Sequence, residues 1–150
     1  MPNKTLTPDQ MLQLDRQLCF ALYSASHAMS KAYKPHLDAL GLTYPQYVAM
    51  LVLWERDGLT VSEIGERLYL DSGTLTPLLK RLEAAGYISR LRDVADERRV
   101  LIQLTAAGRR LKTKAASIPG CMFEAMQCTP AELGALTRQV QQLRDRLQAA

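Results

Sequence analysis

Apolar residues recur along this chain mostly at helical spacing. From Thr7 onwards, Leu14, Leu18, Leu22, Ala25 and Met29 fall at steps of four and three, the pattern of a one-sided helix. The stretch predicts a helix of about 25 residues that ends before Pro35 and holds Cys19 in its middle. A short helical piece from His36 to Leu40 stops at Gly41, a left-handed cap. The next helix runs from Tyr44 to about Asp57, with Val48, Leu51, Val52 and Leu53 read as core.

Helix starts are legible because a threonine followed three residues later by Gln or Glu lets the two side chains satisfy exposed N–H groups reciprocally. The pattern occurs at Thr7/Gln10, Thr43/Gln46, Thr60/Glu63 and Thr129/Glu132, with Pro8 and Pro130 at the first helical position. After Leu59, the segment TVSEIGERLYLDSGTLTPLLKRLEAAG reads as two short helices joined at Tyr69 to Asp71, with Asp71 capping the second. Leu75, Leu78, Leu79 and Leu82 form its inward stripe, so Gly73, Thr76, Pro77 and Lys80 project outward. Pro77 removes a backbone donor and predicts a local distortion.

Gly86 ends that helix, and YISRLRDVADERRVLIQLT offers two β-compatible runs around a charged stretch, a hairpin with a basic tip. A further helix runs from Thr105 to Ser117, interrupted or bent at Ile118-Pro119-Gly120. In the last helix, Leu133, Leu136, Val140, Leu143 and Leu147 make the narrow seam of a coiled coil, which calls for a partner helix. The pattern is mainly α with a small β-hairpin wing, a winged helix-turn-helix. We expect one domain over 1–150: N-terminal helices at about 7–58, the winged helix-turn-helix at 59–104, and C-terminal dimerisation helices at 105–150.

Composition narrows the chemistry. The chain has 150 residues, 47% of them hydrophobic, and a formal net charge of +4, which permits nucleic acid without requiring it. The excess is localised: between Leu78 and Arg110 stand eight basic residues and four acids. No apolar run reaches the ~20 residues that span a bilayer, so no membrane partner is expected. Metal-ligand spacings and glycine-rich phosphate loops are absent, so no metal and no cofactor are expected. Three cysteines cannot all pair within one chain, and no N-terminal stretch resembles a signal peptide, which points to a reducing cytoplasm.

The helix-turn-helix and hairpin together suit double-stranded DNA, a helix for the major groove and a wing for the adjacent minor groove or backbone. Ser72, Thr74 and Thr76 can bond phosphates or base edges near a helix N-terminus that favours phosphate. Asp96 and Arg98 are placed to pair near the wing tip while Arg99 or Arg92 meets DNA.

Cys19 is either an inert small hydrophobe or a reactive thiol. Tyr23 stands one turn along on the same face, and Tyr33, Tyr44 and Tyr47 follow; phenolic hydroxyls aimed at sulfur would favour the thiolate. Asp15 opposes this, and in a long helix the N-terminus is too distant to help. The tyrosines are equally readable as half-buried packing residues. Cys121 and Cys128 flank a helix and stand far from Cys19 in sequence.

The segments LDRQLCFALYSAS, YKPHLDALGLTYPQY, LYLDSGTLTPLLKRLEAAGYISR and DERRVLIQLT together resemble the OhrR-type organic hydroperoxide sensor-repressors of the MarR family. The resemblance runs from about Leu14 to the final helix. It implies a homodimer whose terminal helices form the interface and whose winged helices bind a palindromic operator. It also implies that Cys19 senses organic hydroperoxides and that Tyr33 and Tyr44 hold its thiolate, with Tyr23 one turn beyond. Ser72, Gly73 and Thr74 match the start of the recognition helix, and Arg90, Asp96 and Arg98 match the wing. In the two-cysteine branch, sulfenic acid formation is followed by a disulfide to a resolving cysteine of the other subunit. That position aligns near Glu124, between Cys121 and Cys128, so either one, or a small thiol, is the candidate.

The expectation is a redox-sensing repressor rather than an enzyme. A thiol peroxidase is disfavoured because Cys19 lacks a nearby helix N-terminus or an activating arginine. The alternative is a winged-helix regulator released by a small aromatic or phenolic ligand.

Overall fold

A computed structural model describes residues 5–150. They divide between Ala115 and Ala116 into two compact units.

In the first unit, α1 (Pro8–Met11) and a 3-10 turn (Leu14–Arg16) precede α2 (Leu18–Asp38). The single N-terminal helix expected from the spacing is therefore broken. The cause is Gln17: its side-chain amide donates to the carbonyls of Met11 and Gln13 at 2.7 and 2.9 Å. Its own backbone is extended, φ −87° and ψ 114°, so helix formation restarts at Leu18. The end of α2 also differs from expectation, because the helix passes through Pro35. Proline costs one intrahelical hydrogen bond there, close enough to the end that little helix beyond it depends on that bond. Gly41, at φ 69°, closes the turn, with the N–H of Leu42 donating to the Leu37 carbonyl at 3.0 Å.

The third helix, α3 (Tyr44–Glu55), carries the core of the first unit: Tyr47, Met50, Val52 and Leu53 are buried. Val48 is only half-buried and Leu51 is exposed. Tyr44, Leu51 and Glu55 share the solvent-facing strip of a 3.6-residue helix, which the count of apolar residues did not separate from the core face. Three of the four threonine boxes are reciprocal, at Thr7, Thr43 and Thr60; Thr129 accepts from the Glu132 N–H without the return bond.

A two-residue strand, β1 (Leu59–Thr60), leads into α4 (Val61–Leu68) and α5 (Ser72–Ala84). Tyr69 makes the tight turn between them at φ 57°. The α5 helix runs unbroken through Pro77, so the expected distortion does not interrupt it. Its buried stripe is Leu75, Leu78, Leu79 and Leu82. The wing consists of β2 (Ile88–Arg92) and β3 (Val100–Leu104), paired antiparallel with Arg90 opposite Ile102. Strand β1 adds to the other edge of β3, giving the order β1-β3-β2 rather than a bare hairpin.

Helix α6 (Ala106–Ala115) closes the first unit. There the Trp54 indole Nε1 donates to the Gly108 carbonyl at 3.0 Å, and the Thr105 hydroxyl accepts from the Gly108 N–H at 3.1 Å. A Cβ at Gly108 would collide with the Tyr87 carbonyl, so this close approach requires glycine.

The second unit contains α7 (Ile118–Met126) and α8 (Pro130–Ala149). Pro119 lies in the first turn of α7, where its missing N–H costs nothing, rather than bending a longer helix. Gln127, at φ 52°, ends α7, so Cys128 lies in the connection and not on a continuous helix with Cys121. No residue of α8 is buried; Leu136, Val140 and Leu147 are exposed along the predicted seam.

Candidate redox site and nucleic-acid interface

The start of α5 is organised by Asp71. Its Oδ1 accepts the Thr74 N–H at 2.7 Å. That amide, helped by the Thr74 hydroxyl and the Gly73 N–H, holds the Asp71 carboxyl below the usual carboxylate range. Ser72, Gly73 and Thr74 are exposed in the first turn. Thr76 is half-buried, and Lys80 is exposed one turn on, opposite the leucine stripe. The outward placement expected for these residues is what the structure has.

Between α4, α5 and the wing lies a groove of about 490 Å³, walled by Ser62, Ser72, Thr76, Arg90, Arg98 and Arg99. Two helix N-termini and three guanidiniums border it, a setting that suits phosphate. Each guanidinium also has a carboxylate. Arg90 Nε lies 3.3 Å from Glu83 Oε1, and Arg98 Nε lies 3.3 Å from Asp96 Oδ1. Arg99 is shared between Asp93 at 3.8 Å and Glu63 at 3.9 Å. Arg92 instead donates to the Glu97 carbonyl at 3.2 Å. Lys80 has no ion pair among the described residues. The pairing of Asp96 with Arg98 follows the spacing; the roles of Glu63, Glu83 and Asp93 were not foreseen. Glu63 was readable as half of a capping box, and nothing in the sequence separates that from service to an arginine.

Cys19 is exposed and is the second residue of α2. This corrects its mid-helix placement and, with it, the argument that no helix N-terminus is at hand. Gln17 makes no side-chain cap, so the first-turn N–H groups of α2 remain open and the positive end of its dipole lies at the sulfur's own turn.

Tyr33, Tyr44 and Tyr47 pack together, with ring centroids 5.1 Å apart for Tyr33 and Tyr44 and 5.8 Å for Tyr33 and Tyr47. Burial, then the neighbouring phenols, push the Tyr33 hydroxyl above its ordinary value, so it stays protonated and able to donate. Tyr23 is exposed and packs against His27, with ring centroids 4.3 Å apart and the planes tilted by 51°. Among the described residues, no hydrogen bond joins Cys19 to Tyr23, Tyr33 or Tyr44. The structure brings the tyrosines Tyr33 and Tyr44 together, and it does not bring Cys19 to them within one protomer. Cys121 is half-buried in α7, and Cys128 Sγ donates to the Met126 carbonyl at 3.3 Å.

A helix-turn-helix, a β-wing across from it and a groove of helix N-termini and arginines between them define a winged-helix, DNA-binding transcriptional regulator. The sequence pattern of the family described as transcriptional regulator SarA/Rot matches residues 31–115. The chain is 58% identical over 112 residues to the organic hydroperoxide resistance transcriptional regulator of Bacillus subtilis, covering 75% of this chain and 76% of that protein. It is 52% identical over 141 residues to the HTH-type transcriptional regulator TtmR of Methylorubrum extorquens, covering 94% and 72%. Reduced AbfR bound to DNA superposes with a TM-score of 0.77 at 32% identity, covering 94% of this chain and 99% of that one. The chain belongs to the OhrR-type transcriptional regulators of the MarR family. These relatives are regulators, not enzymes. Among the described residues, no helix is long and apolar enough to cross a membrane.

Proposed function

We propose that this regulator is a homodimeric repressor that holds its operator while Cys19 is reduced and releases it when an organic hydroperoxide oxidises Cys19. The observation that carries the reading is the place of Cys19: an exposed thiol in the uncapped first turn of α2, open to a peroxide from solvent. The relative named for organic hydroperoxide resistance supports the choice of oxidant.

Helix geometry supports a site shared between subunits. Tyr33 lies fourteen residues beyond Cys19 on the same unbroken helix, an axial separation of about 21 Å. Tyr33 and Tyr44 therefore reach Cys19 only from a second copy. The exposed apolar residues Leu18, Phe20 and Met29 on α2, and the open seam of α8, give that copy a surface to cover.

In the chemical step, the Cys19 thiolate attacks one peroxide oxygen, the O–O bond breaks, and the alkoxide leaves as an alcohol after taking a proton. Cys19 becomes a sulfenic acid. A partner-subunit thiol then displaces its oxygen as water, forming a disulfide. Of the two candidates, Cys128 fits better than Cys121, because a residue in the α7–α8 connection can move to disulfide geometry without carrying a helix with it. Such a cross-link shifts the separation of the two recognition helices, which must match a DNA repeat of ~34–36 Å. On the DNA side, Ser72, Gly73, Thr74 and Thr76 face the bases and phosphates. Lys80 and Arg92, which have no carboxylate partner among the described residues, supply positive charge, and Arg90, Asp96, Arg98 and Arg99 build the wing side of the interface.

The test is release of operator-bound protein by cumene hydroperoxide, with salicylate as the comparison. Wild type leaves the DNA on peroxide alone, and Cys19→Ser stays bound. Release of Cys19→Ser by peroxide refutes the thiol mechanism, and release of wild type by salicylate favours control by an aromatic ligand.

A further inference from the structure

We propose that Arg99 is a positioning residue rather than a phosphate contact, and that Glu63 on α4 is its functional partner, the two forming a clamp that fixes the wing against the helix-turn-helix. The inference rests on the reading of the wing as part of the DNA interface and divides its arginines by task.

The geometry comes from three directions. Arg99 immediately precedes β3, at the base of the wing. Its Nη2 faces Glu63 Oε1 at 3.9 Å and its Nε faces Asp93 Oδ2 at 3.8 Å. Its backbone is held as well: its carbonyl accepts the Asp93 N–H at 2.8 Å, and its N–H donates to the Asp96 carbonyl at 3.0 Å. Glu63 is fixed from its own side, because Oε1 also accepts the Thr60 hydroxyl at 3.0 Å and the Thr60 N–H at 3.3 Å. Thr60 in turn belongs to β1, which pairs with β3 opposite Leu101. The carboxylate thus joins the first turn of α4 to the wing's base, beside the groove where DNA is expected.

Charge separates the two roles. Arg99 stands between two carboxylates, so it brings little net positive charge to a phosphate. Arg98, whose side chain is 92% exposed with one carboxylate beside it, and Lys80, with none among the described residues, are free to reach outward. If Arg99 met a phosphate, Glu63 would repel that phosphate, and removing its charge would tighten binding. If Arg99 is a clamp, removing that charge loosens the wing and weakens binding. The sign of the Glu63→Gln effect decides between them. Glutamine keeps an oxygen to accept the Thr60 N–H, so the cap of α4 survives the substitution.

The experiment measures affinity against salt for a labelled duplex selected by the wild-type protein from a randomised pool. We expect Glu63→Gln and Arg99→Ala each to weaken binding by about three- to tenfold, consistent with loss of partly exposed ion pairs. The slope of log K on log salt should stay at the wild-type value, since no phosphate contact is lost. The double variant should bind no more weakly than either single one, and Arg99→Lys should recover part of the loss. Amide exchange at Ala95–Arg98 in DNA-free protein should quicken in both variants. Tighter binding by Glu63→Gln, or a slope reduced by about one unit in Arg99→Ala, overturns the proposal. So does unchanged exchange in the wing.

Discussion

Cys19 and Tyr33 stand on one continuous helix, fourteen residues apart, with Cys19 in the first turn of α2 and Tyr33 packed against Tyr44 near the other end. A site that joins them has to take its sulfur from one protomer and its phenols from the other. Mixed dimers test this directly. Cys19→Ser and Tyr33→Phe homodimers should both oxidise slowly or not at all. Subunit exchange between them should create dimers with one intact site, seen as recovery of wild-type sulfenic acid formation in that fraction. No recovery on mixing would refute a site shared between subunits.

On an outward-facing turn of α5, Lys80 has no carboxylate partner among the described residues. Lys80→Ala should lower the slope of log K on log salt by about one unit and weaken binding to all sequences alike. Filter binding over a salt series reads both, and an unchanged slope removes Lys80 from the phosphate contacts.

Asp71 caps α5 with a charge-assisted bond to Thr74. Asp71→Ala should lower stability at neutral pH by removing the cap of α5. The native carboxyl is held below the ordinary carboxylate value. Its contribution is therefore complete above that ordinary value and is lost as the pH falls through the depressed one. Denaturant midpoints of wild type and variant should converge in acid. A difference that persists there would show that the cap does not act through its charge.

Gly108 has the Tyr87 carbonyl against its Cα and carries the bond from Trp54. Gly108→Ala should destabilise the first unit by about 1–3 kcal/mol, the scale of an overpacked site. Thermal unfolding followed by Trp54 fluorescence would register the loss. An unaltered midpoint would mean that α6 shifts without penalty.

Much of the fold was legible because its signals are local. The threonine caps, the leucine stripe of α5 and the Gly41 and Gly86 stops each depend on residues within a turn or two. The break before α2 was hidden because it is made by a side chain: Gln17 takes two backbone carbonyls, and its helical propensity says nothing of that. Misplacing the start of the helix misplaced Cys19 within it, and so reversed the judgement on its helix dipole. Strand β1 was missed because two residues carry no alternation. The outward face of α5 was readable from its leucine stripe. The Glu63–Arg99 pair joins positions 36 residues apart through the wing and left no trace in spacing.

The unbroken run of α2 also bears on how the regulator behaves in a cell. On the proposed mechanism, a helix that keeps sulfur and phenols at opposite ends leaves a lone subunit with only half of the site. Detection would then begin only with assembly, and newly made chains would escape oxidation until they find a mate. The alarm threshold would then depend on protein abundance as well as on oxidant dose.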